Sequence, residues 1–122
     1  MNHHNLIAAV EQASQAWQDA FNRGDAAACA AQYVATATMD ARPFGHYQGH
    51  AQIQGFWQQL IEQGFAEVAY QQVQLDVIDA KHAVLSANWT MNNASGQIQR
   101  ELWQLQADGS AKLVEDEFSA NA

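Results

Sequence analysis

The sequence predicts an α+β domain with its helices in the first half and an antiparallel sheet in the second. Up to about residue 63, apolar side chains recur at three- and four-residue steps, which is the spacing of one helix face. From about residue 69 onward they alternate with polar side chains, as in a half-buried strand. Helices followed by consecutive strands are typical of a helical layer packed on one face of a curved sheet.

The composition suits a single domain, residues 1–122, with one core. Of the 122 residues, 48% are hydrophobic, and 13 acidic against 5 basic side chains give a formal net charge of −8. This charge argues against nucleic acid and anionic membranes as partners. Cys29 is the single cysteine, so no internal disulfide forms. Since the sequence has neither a membrane-length apolar run nor a secretory signal pattern, we expect a cytoplasmic protein.

Two helices joined by a tight corner open the chain. The first is predicted over 6–23, and its stripe is formed by Ile7, Val10, Ser14, Trp17 and Phe21. Gly24 stands where a helix end favours a positive φ. Asp25 follows at once and can accept hydrogen bonds from the first N–H groups of the second helix, predicted over 26–33. We also expect Cys29 to be a small buried hydrophobic residue of that helix.

A strand, a loop and a third helix follow. β-Branched residues predict the strand over 35–39. Pro43, Gly45 and Gly49 predict a loop over 41–49. The third helix is predicted over 51–63, with Gly64 just beyond its end. Its buried stripe comprises Ile53, Phe56, Trp57, Leu60 and Ile61.

The second half predicts strands near 69–77, 83–91, 97–106 and 112–118. In the first of them Ala69, Val73, Leu75 and Val77 alternate with Tyr70, Gln72, Gln74 and Asp76. The predicted outer face of the sheet is polar but nearly uncharged, with Gln72, Gln74, Ser86, Asn88, Thr90 and Gln104. A solvated face would carry more Lys and Glu, so we expect a homodimer through this face.

Four segments carry a resemblance to a known superfamily. FNRGD (21–25), QYVATATM (32–39), YQGHAQIQGFW (47–57) and ELWQLQADGSAKLVEDEF (101–118) resemble the nuclear transport factor 2-like proteins, which include ketosteroid isomerase and SnoaL-like polyketide cyclases. The resemblance covers nearly the whole chain. It implies a cone-shaped α+β fold, three N-terminal helices on a curved, mostly antiparallel sheet, with a deep pocket between them and often a homodimer. These motifs are structural and say little about function.

The resemblance to ketosteroid isomerase also implies which catalytic groups are missing. Trp17, Ala41 and Glu101 occupy the positions of its oxyanion-hole tyrosine, its aspartate base and its protonated aspartate. Trp17 has no hydroxyl and Ala41 cannot move a proton, so that mechanism is not expected. Asp40 is one residue from the base position, and a one-residue step in a strand turns a side chain to the opposite face.

The candidate ligand-binding residues are largely aromatic. A cavity lined by indole rings and a solid aromatic core are both compatible with four tryptophans. The superfamily resemblance favours the cavity. The candidates are Trp17, Tyr33, Met39, Trp57, Trp89, Trp103, Asp116 and Phe118.

Glu101 is the first candidate catalytic residue. If Trp103 and Phe118 point inward, strand alternation turns Glu101 and Asp116 inward as well. An acid beside apolar side chains has a raised pKa and suits a general acid or a hydrogen-bond donor. The alternative is a solvated position on the rim or an ion pair with Arg100 or Lys112. We expect the functional role for Glu101 and the rim position for Asp116.

His46 is the second catalytic candidate, as a base or at the pocket mouth beside His50. The alternative for both is a solvated loop histidine. Their spacing does not indicate a metal site, and we expect no metal or other cofactor. The sequence thus predicts a protein that binds a small apolar organic molecule, either as an isomerase, cyclase or hydratase or without catalysis. The alternative function is a non-catalytic dimerisation or partner-binding module.

Overall fold

A computed structural model describes residues 3–121 of the chain. Within these residues no helix has the length and apolar character needed to cross a membrane. The helices are α1 (His4–Asn22), α2 (Ala26–Ala31) and α3 (Gly49–Glu62). The strands are β1 (Tyr33–Arg42), β2 (Gly45–Gln48), β3 (Ala69–Val77), β4 (His82–Thr90), β5 (Ser95–Leu105) and β6 (Ala111–Ala120).

The six strands form one sheet in the order β2-β1-β6-β5-β4-β3. Strand β1 pairs in parallel with β6, and the other neighbouring strands pair in antiparallel fashion. The sheet is curved and unclosed, with the helices packed on it. This arrangement confirms the predicted fold, in which three helices cover a curved, mostly antiparallel sheet.

The corner between α1 and α2 follows the sequence prediction. Gly24 has a φ of +78°, and the Asp25 side chain accepts a hydrogen bond of 3.0 Å from the Ala28 N–H. The corner turns the buried face of α2 toward α1, and Cys29 is fully buried there. Burial raises the pKa of the Cys29 thiol to about 12, which suits the predicted structural role.

The loop predicted over 41–49 is wrong. Strand β1 continues to Arg42, and a cis Arg42–Pro43 peptide follows it. The chain then turns into β2, which pairs with β1, so that Met39 of β1 lies opposite Tyr47 of β2. Proline and glycine mark only the turn and its edges, since pairing with β1 satisfies the backbone of β2. Helix α2 is also shorter than predicted, so Tyr33 begins β1.

The regular alternation predicted for β3 fails at a bulge. Gln72 has a φ of +55°, and the register between β3 and β4 shifts around it. An extra residue in one strand reverses which face the preceding side chains occupy. Tyr70 therefore lies on the inner face opposite Trp89, whereas Ala69 is exposed. Val73, expected in the core, is 53% exposed.

Candidate functional site

A cleft lies between the helices and the inner face of the sheet. The cavity volume open to the centres of water-sized molecules is about 50 Å³, and the whole space free of atoms, open solvent at the mouth included, is about 570 Å³. The cleft is therefore narrow. The aromatic side chains that line it are Trp17, Phe44, Trp57, Phe65, Tyr70, Trp89 and Phe118. Aliphatic side chains complete most of the lining, so the cleft is predominantly apolar.

The cleft wall is built from rings that hold one another in place. Trp17 on α1 meets Trp57 on α3 edge to face, with 4.8 Å between ring centroids. Trp57 stacks on Phe118 of β6 at 5.6 Å, and Phe118 meets Trp89 of β4 at 6.4 Å. The wall thus joins two helices and two strands, and the position of each ring depends on the others.

Two carboxyl groups interrupt this apolar lining. Glu101 on β5 and Asp116 on β6 are direct cross-strand partners, and they are only 5% and 4% exposed. The inward position predicted for Glu101 is confirmed. The rim position expected for Asp116 is wrong, because the pairing of β5 with β6 turns it to the same side as Glu101. Arg100, a proposed partner for it, pairs instead with Glu115.

Each carboxyl group has hydrogen-bond donors behind it. The Trp103 Nε1–H donates to Oε1 of Glu101 over 3.1 Å, and the Tyr70 hydroxyl forms a further hydrogen bond to Glu101. The Tyr33 hydroxyl donates to Oδ2 of Asp116 over 2.7 Å. These contacts fix the orientation of both carboxyl groups within the wall.

The surroundings raise the proton affinities of both acids. Burial, together with the charge of Asp116, raises the pKa of Glu101 well above its usual range. Burial also raises the pKa of Asp116 to about 7, with the Tyr33 hydrogen bond opposing the rise and the charge of Glu117 adding to it. Near neutral pH, the pair as a whole therefore retains at least one proton while the other can exchange. An acid and a base thus stand side by side.

Three buried polar atoms of the described side chains have no hydrogen-bond partner. They are Nε1 of Trp17, Nε1 of Trp57 and Oδ1 of Asp116. All three residues line the cleft. The indole of Trp89 differs, because its N–H donates to the Ser119 carbonyl over 3.2 Å.

Comparison with known proteins places this architecture in a family. A SnoaL-like domain model matches residues 14–110. The chain belongs to the SnoaL-like domain family. This membership confirms the resemblance to the nuclear transport factor 2-like superfamily. Comparison with curated protein sequences found no match.

Solved structures share the fold of this SnoaL-like domain at low sequence identity. A ketosteroid isomerase-like protein from Erwinia carotovora atroseptica SCRI1043 superposes with a TM-score of 0.81 at 20% identity, covering 98% of both chains. A proposed scytalone dehydratase from Novosphingobium aromaticivorans DSM 12444 gives 0.79 at 12% identity, covering 95% of this chain and 84% of its own. LinA gives 0.73 at 15% identity, covering 94% and 85%. These likenesses establish the fold alone.

The candidate ligand-binding residues fall into two groups in the SnoaL-like domain. The structure brings five of them together on the cleft surface: Trp17, Trp57, Trp89, Asp116 and Phe118. Tyr33, Met39 and Trp103 are buried outside the lining. Tyr33 and Trp103 support the carboxyl pair from there, and the Met39 sulfur lies 3.8 Å from the Tyr33 hydroxyl.

His46 does not join the carboxyl pair. It lies on β2 with 58% of its side chain exposed, and its Nδ1 is 2.6 Å from Oδ1 of Asp40. The neighbouring Ala41 is fully buried, so Asp40 occupies the opposite face, as the strand geometry predicts. His50 Nε2 contacts the Tyr33 carbonyl oxygen at 2.6 Å. Residues 3–121 contain no group of three or more His, Cys, Asp or Glu side chains able to hold a metal ion.

Sequence reasoning missed three aromatic residues of the cleft, Phe44, Phe65 and Tyr70, and the aliphatic part of its lining. Tyr70 was placed with the polar face of β3, because the bulge at Gln72 has no recognisable sequence signal. Phe44 belongs to the segment read as a loop. It is 52% exposed and packs on Phe56 with 5.8 Å between centroids. An apolar side chain between a proline and a glycine was the one available hint of a ring beside the cleft.

Proposed function

We propose that this SnoaL-like domain binds a small, largely apolar organic molecule in the cleft, takes a proton from one atom of that molecule and donates a proton to another. The observation that supports this most strongly is the carboxyl pair of Glu101 and Asp116, buried within an aromatic wall. Two adjacent buried carboxyl groups destabilise a fold, because burial disfavours each charge and each charge disfavours the other. Such perturbed groups are concentrated at functional sites.

The two acids suit complementary roles. Asp116 as carboxylate takes a proton from a carbon or hydroxyl of the ligand, while Glu101 donates its proton to a ligand oxygen. The pair then holds the same number of protons as before, with their positions exchanged. Isomerisation, cyclisation, hydration and dehydration are all reactions that such a step serves. The names of the fold neighbours, a ketosteroid isomerase-like protein and a proposed scytalone dehydratase, agree with this class.

The test is proton exchange on an enolisable probe. In D₂O the wild-type protein should accelerate exchange at the carbon beside the carbonyl of 1-indanone, followed by proton NMR. Glu101→Gln and Asp116→Asn remove the acid and the base while keeping size, and each should abolish the acceleration. Asp76→Asn is the matched control, because it makes the same change in an exposed side chain of β3. Native mass spectrometry measures binding of the same probe. A wild type that neither binds the probe nor exceeds the combined Glu101→Gln, Asp116→Asn variant in exchange refutes the proposal.

We also propose that the chain forms a homodimer through the outer face of the sheet. This face carries amide and hydroxyl side chains, several of which bond one another, such as Gln72 with Asn88 and Gln71 with Thr90. If the protein is instead a non-catalytic dimerisation module, this face is its working surface. Sedimentation at micromolar concentration tests the dimer, and a monomer there excludes it.

A further inference from the structure

The mouth of the cleft lies at one end of the sheet. Strands β1, β4 and β6 finish at this end, and β3 and β5 begin there. Four segments that meet at this end each contribute an apolar, partly or largely exposed side chain to the lining: the β1–β2 turn, the α3–β3 segment, the β4–β5 turn and the end of β6. We call these side chains the rim: Phe44, Phe65, Met91, Ala94 and Ala120. A ligand that enters the cleft passes this apolar rim.

Hydrogen bonds join the segments on one side of the rim. The Asn92 Oδ1 in the β4–β5 turn accepts from the Ala66 N–H over 3.1 Å, and its Nδ2–H donates to the Gly64 carbonyl over 2.9 Å. The Asn92 N–H also donates to the Ala66 carbonyl over 3.0 Å. Asn121 bonds Ser95 through both its N–H and its side chain, which ties the end of β6 to the start of β5. Opening the mouth on this side therefore means breaking hydrogen bonds.

The β1–β2 turn, which carries Phe44, has no hydrogen bond to the other rim segments among the described residues. Within the turn the Phe44 N–H donates to the Ala41 carbonyl over 2.6 Å. Strand β2, which follows, has four residues and pairs only with β1 at the edge of the sheet. The Phe44 ring is 52% exposed and meets one other described ring, that of Phe56, at 5.8 Å. An edge hairpin with so few contacts opens at low free-energy cost.

The cleft has to widen before an organic molecule enters it. Its volume open to the centres of water-sized molecules is about 50 Å³, and by that measure one water needs about 10–15 Å³. The space thus takes only roughly four water-sized groups. Trp17, Trp57 and Phe118 are buried in contacts with one another, so they do not give way easily. Outward displacement of Phe44 is the movement that the contacts leave open.

We propose that the Phe44 turn is the moving side of the mouth and that its ring selects ligands by size. The ring moves outward to admit a compact apolar molecule and then covers it. An elongated molecule holds the ring away from Phe56 and loses this cover, so the domain prefers compact ligands. This assignment rests on the proposed function and narrows its ligand class. It gives Phe44 a role in ligand entry and none in proton transfer.

Binding rates separate a moving ring from a fixed contact. Stopped-flow tryptophan fluorescence follows the binding of 1-indanone, since three of the four tryptophans line the cleft. In Phe44→Ala both the association and the dissociation rate constants should rise about tenfold over wild type, because no opening step remains. Phe65→Ala is the matched control and removes the same ring from the hydrogen-bonded side of the rim. Its dissociation rate constant should rise, while its association rate constant should stay at the wild-type value.

Equilibrium affinity gives an independent readout of size selection. 5-Phenyl-1-indanone has the same bicyclic ring system with a longer body, and wild-type protein should bind it at least about tenfold more weakly than 1-indanone. Phe44→Ala should bring the two dissociation constants to within about twofold of each other, whereas Phe65→Ala should keep the wild-type ratio.

An association rate constant in Phe44→Ala equal to that of wild type overturns the assignment, as does an unchanged affinity ratio; in both cases the cleft stays a binding site. A probe that binds Phe44→Ala but not wild type supports the assignment, because the ring then keeps the wild-type mouth closed. If neither probe binds either protein, the proposed function fails together with the assignment.

Discussion

Replacing Asp116 with Asn should remove a loss of stability that wild-type protein suffers as the pH rises. The pKa of Asp116 is raised from 3.8 to about 7 in the fold, mainly by burial. The folded protein therefore holds this proton more tightly than the unfolded chain does. Its contribution to stability is fully present below about pH 4, falls as the pH rises, and is lost above about pH 7.

The pKa change sets the magnitude. From 3.8 to about 7, at 1.36 kcal/mol for each pH unit, the loss is about 4 kcal/mol. Typical domains have only about 5–15 kcal/mol of stability in total, so this is a large effect. Asn keeps a carbonyl oxygen to accept from the Tyr33 hydroxyl and carries no charge. The variant should therefore be more stable than wild type by about 4 kcal/mol near pH 8, with the gap closing toward pH 4.

Urea unfolding followed by tryptophan fluorescence, repeated from about pH 4 to about pH 8, measures the effect. The difference between the two curves reports the charge of Asp116 together with the rise that this charge causes in the pKa of Glu101. Asp76→Asn, the same change in an exposed side chain of β3, serves as control and should retain the wild-type slope with pH. If Asp116→Asn has the same pH dependence as wild type, the carboxyl group is not held neutral by burial, and the acid–base argument fails with it.

Three further changes test the structure. Tyr33→Phe deletes the hydrogen bond that lowers the pKa of Asp116, so its ¹³C carboxyl titration should move to higher pH; an unchanged midpoint contradicts the contact. Gly96→Ala places a Cβ 2.0 Å from a backbone oxygen of β6 and should cost about 2–4 kcal/mol. Its control is Gly55→Ala on α3, where an added Cβ meets no atom within 4 Å. This variant should gain about 0.5–1 kcal/mol of stability, and calorimetric melting measures both variants. Asp25→Ala removes the α2 cap and should cost about 1 kcal/mol by urea unfolding.

The helices and the inward position of Glu101 could be predicted because their signals are local. A stripe at helical spacing fixes a buried face without knowledge of the partner surface. Gly24 and Asp25 specify a corner by their own backbone and side-chain chemistry. Glu101 is two residues from Trp103 in one strand, so the inward tryptophan indicates the inward acid.

The rest of the site depends on pairings between distant segments. Asp116 meets the Tyr33 hydroxyl across 83 positions of sequence, and no local pattern specifies that contact. Tyr70 reaches the cleft because of a bulge whose cause lies in the register of β3 on β4. Because Asp116 is a charged residue type, the sequence favoured a solvated position for it. The sequence around it does not show how far distant segments bury it in the fold.

The parallel pairing of β1 with β6 has a consequence for biosynthesis. β1 emerges from the ribosome early, whereas its partner β6 is the last element to appear. Until β6 is made, the apolar faces of helices α1 and α3 are not covered by a complete sheet, and β5 has an unpaired edge. Asp116 lies on β6, so the buried carboxyl pair is completed in the same event that closes the sheet.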